Sequence, residues 1–392
     1  MLLRNHTFLK LWLGNLFSSL GNIFYEVVIV WYLVTISGSA FIAAGIPLAV
    51  LAGSILGSVL IAKRVDLLPT KKLMIVTEGT RTLLLAALLI FQNFFINFVF
   101  ALYLLQFTLA VLSVIYFIAR AKTIPEVVEK ELLVSANGLE GVSAGIVRII
   151  AWGLGGYFIT HFNLNISIYV ALAVSIISFV FVTNARWESV IGDKQDNSQS
   201  LKNGRDKINA NIVIKKIVYA EILFFFFMGF LWVALPFKIN ALGSGILYGM
   251  QGMIFGLGYL LTSLLLSSKA KLSKVKSIYI FGFGFYMVGN LFMPLATSSL
   301  VFLLGLFISG LATSFWSVGR STLIHSKIET KEVGKVFSVF ELGTSIAQIP
   351  GFIIGGILVD NFGFSLIMII SVILQFTCLL WVQQIRIADK NN

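Results

Sequence analysis

Asn15, Ser18, Asn22 and Glu26 recur at intervals of three or four residues within an otherwise chiefly apolar stretch. On a helix that spacing places all four on one face. A polar stripe on an apolar helix must face protein or water. The amides and the hydroxyl suit hydrogen bonding to neighbouring helices or to a bound solute. Glu26 offers reversible protonation, because an acid deep in an apolar segment is costly and is functional by default. Arg148 stands about 15 residues into a later apolar run, roughly 22 Å along it at 1.5 Å per residue. An unpaired cation at that depth is expensive. Glu26 lies at a similar depth, so the two are expected within hydrogen-bonding or one-water distance, with Asn22 beside them. The alternative is that backbone carbonyls and side-chain amides hold Arg148 on their own.

Glu221, Glu140 and Glu341 lie only one or two turns inside their runs, within reach of Arg64, Arg120 or Arg320. Glu78 and Arg81, three residues apart, read as a local pair on one helix face. Gln106, Ser113, Met228, Trp232, Gln251, Thr313, Trp316, Ser317 and Gln348 add scattered polar and aromatic groups. Aromatic side chains are abundant everywhere, and many of them face lipid. No enzyme constellation is present: there is no Walker A loop and no HExxH, and the glycines of GFGFYMVG and GLGG lie inside apolar runs. The lone Cys378 excludes an intrachain disulfide and disfavours a Cys-ligated metal. The reading is of a protein that is no enzyme and uses neither metal nor cofactor.

These residues must be positioned by helices that cross a membrane. Charged residues make up 12% of the 392 and hydrophobic ones 58%, against about a quarter and about half in a soluble protein. Apolar runs of spanning length fall near 8–35, 39–62, 72–92, 98–119, 133–159 and 165–184. After one long polar stretch, they resume near 213–238, 246–267, 275–296, 299–322, 333–359 and 364–384. The expectation is an all-α membrane protein with twelve transmembrane helices in two six-helix pseudo-symmetric halves, 1–185 and 213–392. They are joined by a linker loop, 186–212, whose Asp, Asn, Ser, Gln and Lys cannot bury enough apolar surface to fold alone. The first run reads as a retained helix rather than a signal peptide.

The formal charge of +12 is distributed by connection, which argues for membrane topology over nucleic-acid binding. Lys and Arg occupy the start, the linker, the end and the connections after the second, fourth, eighth and tenth runs. The alternate connections hold almost none, Lys238 being the exception. Basic connections face the cytoplasm, so both termini and the linker are expected there. Arg64, Arg120, Glu140, Arg320 and Glu341 then become candidates for a cytoplasmic gate. The basic run KAKLSKVK could also touch anionic lipid.

The second half carries residues of the first at an offset of 200. Arg120 matches Arg320, Ile124 matches Ile324, Glu129 matches Glu329, Gly155 and Gly156 match Gly355 and Gly356, and Phe162 matches Phe362. Parallel six-helix repeats place a substrate site between them near mid-membrane, with alternating access. Over essentially its whole length the chain resembles the major facilitator superfamily. HTFLKLWLGNLFSSLGNIFYEVVIVWYLV, TEGTR and IPEVVEKELLVSANGL are similar to the macrolide-efflux-like branch of its drug:proton antiporters. Two family motifs are altered. Lys63 stands where an Asp is expected after the second run, with Asp66 a substitute after a local shift. Ala151 and Trp152 replace the Gly-Pro of the fifth. The family usually shows an acid at the position of Asn22 and an Arg at that of Arg148.

The resemblance implies a secondary efflux transporter for small amphiphilic neutral or cationic compounds such as antibiotics, coupled to protons and working as a monomer among membrane lipids. Its proposed path comprises Glu26, Asn22, Asn15, Arg148, Glu221, Gln106, Trp232, Gln251, Trp316 and Gln348. An apolar cavity with few polar anchors suits an amphiphile better than a sugar. Export of an endogenous siderophore, peptide or lipid on the same scaffold is the rival, and a non-transporting sensor or accessory protein the third reading. No nucleic-acid partner is expected.

Overall fold

The computed structural model describes residues 4–62, 68–129, 132–187, 198–243, 245–269, 275–328 and 330–383. Regular structure among them is helical: α1 (His6–Ser37), α2 (Ala40–Ala62), α3 (Thr70–Ile90), α4 (Gln92–Asn97), α5 (Val99–Val127), α6 (Leu133–His161) and α7 (Leu164–Asn184). There follow α8 (Ser198–Ala210), α9 (Ile212–Ala241), α10 (Gly245–Lys269), α11 (Val275–Leu295), α12 (Ser299–Lys327), α13 (Thr330–Phe362) and α14 (Phe364–Gln383). Twelve of these are long and apolar enough to cross a membrane, as the hydropathy pattern anticipates. The connection between the third and fourth apolar runs contains the short helix α4.

Helix ends follow local chemistry. The Asn211 side chain accepts from the backbone N–H groups of Val213 and Ile214 and so opens α9. Gly38, at φ +61°, closes α1 in a left-handed conformation that favours glycine.

The chain forms two compact units: Met1–Ile36 with Gly45–Asp196, and Ser37–Ala44 with Asn197–Asn392. In the first, Phe24, Tyr25, Val28 and Leu33 of α1 pack with Leu85 and Leu88 of α3, Leu102, Leu105 and Leu109 of α5, and Ala171 of α7. Lipid is as apolar as these side chains, so contact quality and close backbone approach hold the helices together. Gly53 of α2 shows the principle, since an added methyl there would strike the Phe107 carbonyl of α5.

In the second unit α9 is the axis, packed by α13 and α14, while α12 packs on α10 and α11. Phe224 of α9 meets Phe283 of α11 and Trp316 of α12 at ring-centroid distances of 4.7 and 5.0 Å. A neutral ladder lies beside this cluster. Asn290 donates to Gln375 (3.1 Å), Gln375 to Ser371 (3.1 Å), and Ser371 to the Phe227 carbonyl (2.6 Å), all three side chains being fully buried. Asp360 of α13 accepts from the Ala40 and Phe41 amides (2.6 and 3.2 Å) and from the Ser39 hydroxyl (2.6 Å), capping the start of α2 within this unit.

Lys238, the basic exception, is buried. Its ammonium donates to the Pro294 carbonyl at 3.2 Å and lies 5.8 Å from the centre of the Phe364 ring.

The linker departs from the expected tether. Residues 198–210 form α8, with Ile208 buried in a cluster containing Ile214, Ile324, Val336 and Phe340. Gly204 lies against the Lys335 backbone of α13. Its apolar side is covered by residues of α9, α12 and α13.

Candidate functional site

The four polar residues of α1 are shared among three partner helices. Asn15 donates to Glu140 of α6 at 3.3 Å, Ser18 to Glu78 of α3 at 3.0 Å, and Asn22 to Ser113 of α5 at 3.4 Å. Glu26, partly buried, feels the charge of Arg148 on α6. No hydrogen bond closes between these two, and Asn22 donates to Ser113 of α5. Arg148 is exposed on its helix, so the pairing acts through space.

Three ion pairs between described residues close at contact distance. Arg81 binds Glu78 at 2.6 Å, with side chains only 2% and 0% exposed. The spacing anticipates this pair but not its surroundings. Glu78 also accepts from Ser178 of α7 at 2.7 Å, and Arg81 donates to Ser113 at 2.9 Å and to Ser18. The TEGTR stretch thus joins α1, α3, α5 and α7 through one buried charge centre, each oxygen of its carboxylate bonded.

Arg120 of α5 pairs with Glu140 of α6, and Asn15 completes the group. In the second unit Arg320 of α12 binds Glu221 of α9 at 2.9 Å, and Tyr279 of α11 donates to the same carboxylate at 2.8 Å. The Arg320 guanidinium stacks over Phe340 at 4.5 Å and lies 5.8 Å from the Trp316 ring centre, with Glu341 acting on it from α13. Tyr279 was absent from the sequence reading. Its signal in the sequence is helical spacing, since Tyr279, Tyr286 and Asn290 put polar groups on one face of α11.

Of the remaining candidates, Gln106 is buried, with its side-chain oxygen unpartnered. Gln251 and Gln348 are partly buried and Trp232 is exposed. Arg64, Lys63 and Asp66 lie outside the described residues, as does much of the KAKLSKVK run. Among the described residues no group of three or more His, Cys, Asp or Glu side chains is placed to hold a metal ion.

The arrangement is that of a helical membrane protein with charge pairs inside each unit. Known proteins agree. The sequence matches the family described as Major Facilitator Superfamily over residues 11–218 and again over 217–391. An uncharacterized MFS-type transporter, YvqJ of Bacillus subtilis (strain 168), is 25% identical over 256 residues, which are 61% of this chain and 59% of that protein. The chain therefore spans less than two thirds of that relative in the alignment. Among solved structures, the nucleoside transporter NupG superposes with a TM-score of 0.71 at 14% identity, covering 96% of this chain and 100% of that one. A bacterial homologue of the iron transporter ferroportin, in an inward-facing state, gives 0.70 at 17% identity, covering 98% and 100%. At such identities the structural likeness establishes the fold, and the sequence match establishes the family. This chain belongs to the major facilitator superfamily and is a multi-pass membrane protein.

Proposed function

We propose that the chain is a secondary active exporter of small amphiphilic compounds, neutral or cationic, that works by alternating access and exchanges substrate for protons. The observation that carries this reading is Glu26, a carboxylate on the largely apolar α1, with the Arg148 charge acting on it from α6. A carboxylate coupled to a cation without a hydrogen bond is free to take up a proton or to yield its place to a cationic solute. Either event changes the balance of charge that α6 experiences. The solved relatives are described as moving nucleosides, metals and peptides, so the choice of an amphiphile rests on this chain's own few polar anchors, Gln106, Gln251, Trp316 and Gln348.

The test is accumulation of a panel of fluorescent or radiolabelled amphiphilic drugs in cells with and without the protein, repeated after collapse of the proton gradient. Expression should lower accumulation, and collapse of the gradient should abolish the difference. Glu26→Gln should remove gradient-driven efflux at unchanged protein level. Intact efflux across several substrates would move the coupling role to another acid, Glu221 being next.

Orientation is part of the proposal, with both termini and α8 on the cytoplasmic side, following the basic connections. Reporter fusions at positions 94, 162 and 297 should read outside, and those at 66, 200 and 272 inside. A consistently inverted pattern would refute it.

A further inference from the structure

The Glu78–Arg81 centre leaves two polar groups over. The guanidinium has five N–H bonds, and its terminal nitrogens serve Glu78, Ser18 and Ser113. Its Nε–H has no partner, and neither has the hydroxyl of Tyr25, although the two residues are only 2% and 4% exposed. A buried donor without a partner has lost its hydration and gained nothing in return, so two in one place ask for a common explanation. Both residues line the same internal cavity of the first unit, together with Asn22, Leu85, Leu109 and Ala171.

Its size and charge define what it can hold. The space is about 10 Å³, at the lower limit for one water molecule and below what larger solutes need. Arg81 is already balanced by Glu78. An anion would therefore add an uncompensated charge to a small, largely apolar site, and a cation would face a guanidinium. The ligand must be neutral, must accept from Nε–H and must exchange a hydrogen bond with a phenol.

We propose that this cavity is a binding site for a single water molecule, held between the Arg81 Nε–H and the Tyr25 hydroxyl. The water completes the hydrogen bonding of the TEGTR pair and ties Tyr25 of α1 to Arg81 of α3 at a second point besides Ser18. It stands apart from Glu26, whose side chain is not among the cavity's lining, and does not depend on which acid couples transport.

Radiolytic hydroxyl labelling of the purified full-length protein in H₂¹⁸O, read by mass spectrometry, tests this, because bound water generates radicals where bulk solvent does not reach. Tyr25 should label several-fold faster than Tyr286, which is equally buried but whose hydroxyl already donates to the Met228 sulfur and which does not line the cavity. Ala171→Val, which fills the space, should bring Tyr25 down to the rate of Tyr286. Should that variant fail to fold, Tyr25→Phe removes one of the two anchors and should lower labelling of Leu109 on the cavity wall. A Tyr25 rate no higher than that of Tyr286 in the unaltered protein would mean a dry cavity and would overturn the proposal. An ion in place of water in an experimental density map would overturn it equally.

Discussion

Arg120 and Arg320 stand at matching places in the repeat, and each is bonded to a glutamate, but the glutamates come from helices that do not correspond. In the first unit the carboxylate is Glu140 on α6, the fifth span, while α1 contributes only the amide of Asn15. In the second it is Glu221 on α9, the seventh span and so the counterpart of the first, assisted by Tyr279 of α11. Each unit has kept its cation and found its anion independently. The ion pair therefore ties α5 to α6 in one unit and α12 to α9 in the other. The same divergence marks the third and ninth spans. Glu78 and Arg81 of α3 are buried, whereas at the offset of 200 Ile278 of α11 is partly buried and Phe281 exposed, so the charge centre of the first unit has no counterpart at that offset. Pseudo-symmetry at the level of backbone and arginine coexists with two different electrostatic designs.

The largest expected effect tests whether the first unit depends more on its charge centre than the second does. Glu78→Ala leaves Arg81 buried with hydroxyls alone, and loss of one partner of a buried pair typically costs about 3 to 5 kcal/mol. Glu221→Ala should cost less, because Arg320 retains the Phe340 ring and the charge of Glu341. Unfolding of the purified variants in detergent should rank them in that order, and the reverse ranking would break the comparison. Glu78→Ile/Arg81→Leu sharpens it. Replacing both charges with apolar groups should recover much of the lost stability. Ser113 and Ser178 retain the carbonyls of Leu109 and Gly14 as acceptors. Recovered stability with transport lost would mean that the pair serves function.

What the sequence made legible follows from how each feature is encoded. Hydropathy and spacing are local, so the twelve spans and the i,i+3 pairing of Glu78 with Arg81 could be read directly. Which arginine meets which glutamate depends on how each helix is rotated in its bundle, which a repeat offset does not specify. Arg120 with Glu140 and Arg320 with Glu221 could be shortlisted from depth but not assigned. Spacing also showed that Glu78 and Arg81 share a face, without showing that this face meets Ser18, Ser113 and Ser178. Glu26 and Arg148 were matched in depth, yet the structure leaves them coupled without a hydrogen bond, because Asn22 turns to Ser113 and Arg148 stays exposed. The α8 helix was hidden for another reason: apart from Ile214 and Val218 of α9, its apolar partners lie well over a hundred residues further on in α12 and α13, and composition alone describes only what a segment can do unaided.

The smallest effect concerns Glu341. It is exposed on α13 and acts on Arg320 from a distance, while Glu221 is in direct contact. In the unaltered protein its removal should change stability little, by roughly 0 to 1 kcal/mol as for other exposed charge pairs. Arg320, once deprived of Glu221, has no nearer carboxylate among the groups that act on it, so Glu341 becomes its principal counter-charge. Glu341→Gln should therefore cost clearly more in the Glu221→Ala background than alone. That excess, read as the coupling term of a double-mutant cycle on unfolding midpoints, measures how far the second unit holds its arginine through a reserve partner. The first unit offers the matching control. Position 141 is Gly141, so Arg120 has no such reserve at that offset, and Glu140→Ala should be as costly with Glu341 present as without it. Equal costs for Glu341→Gln in both backgrounds would show that Glu341 holds nothing in reserve, and would reduce the difference between the two units to the identity of the helix that carries the bonded glutamate.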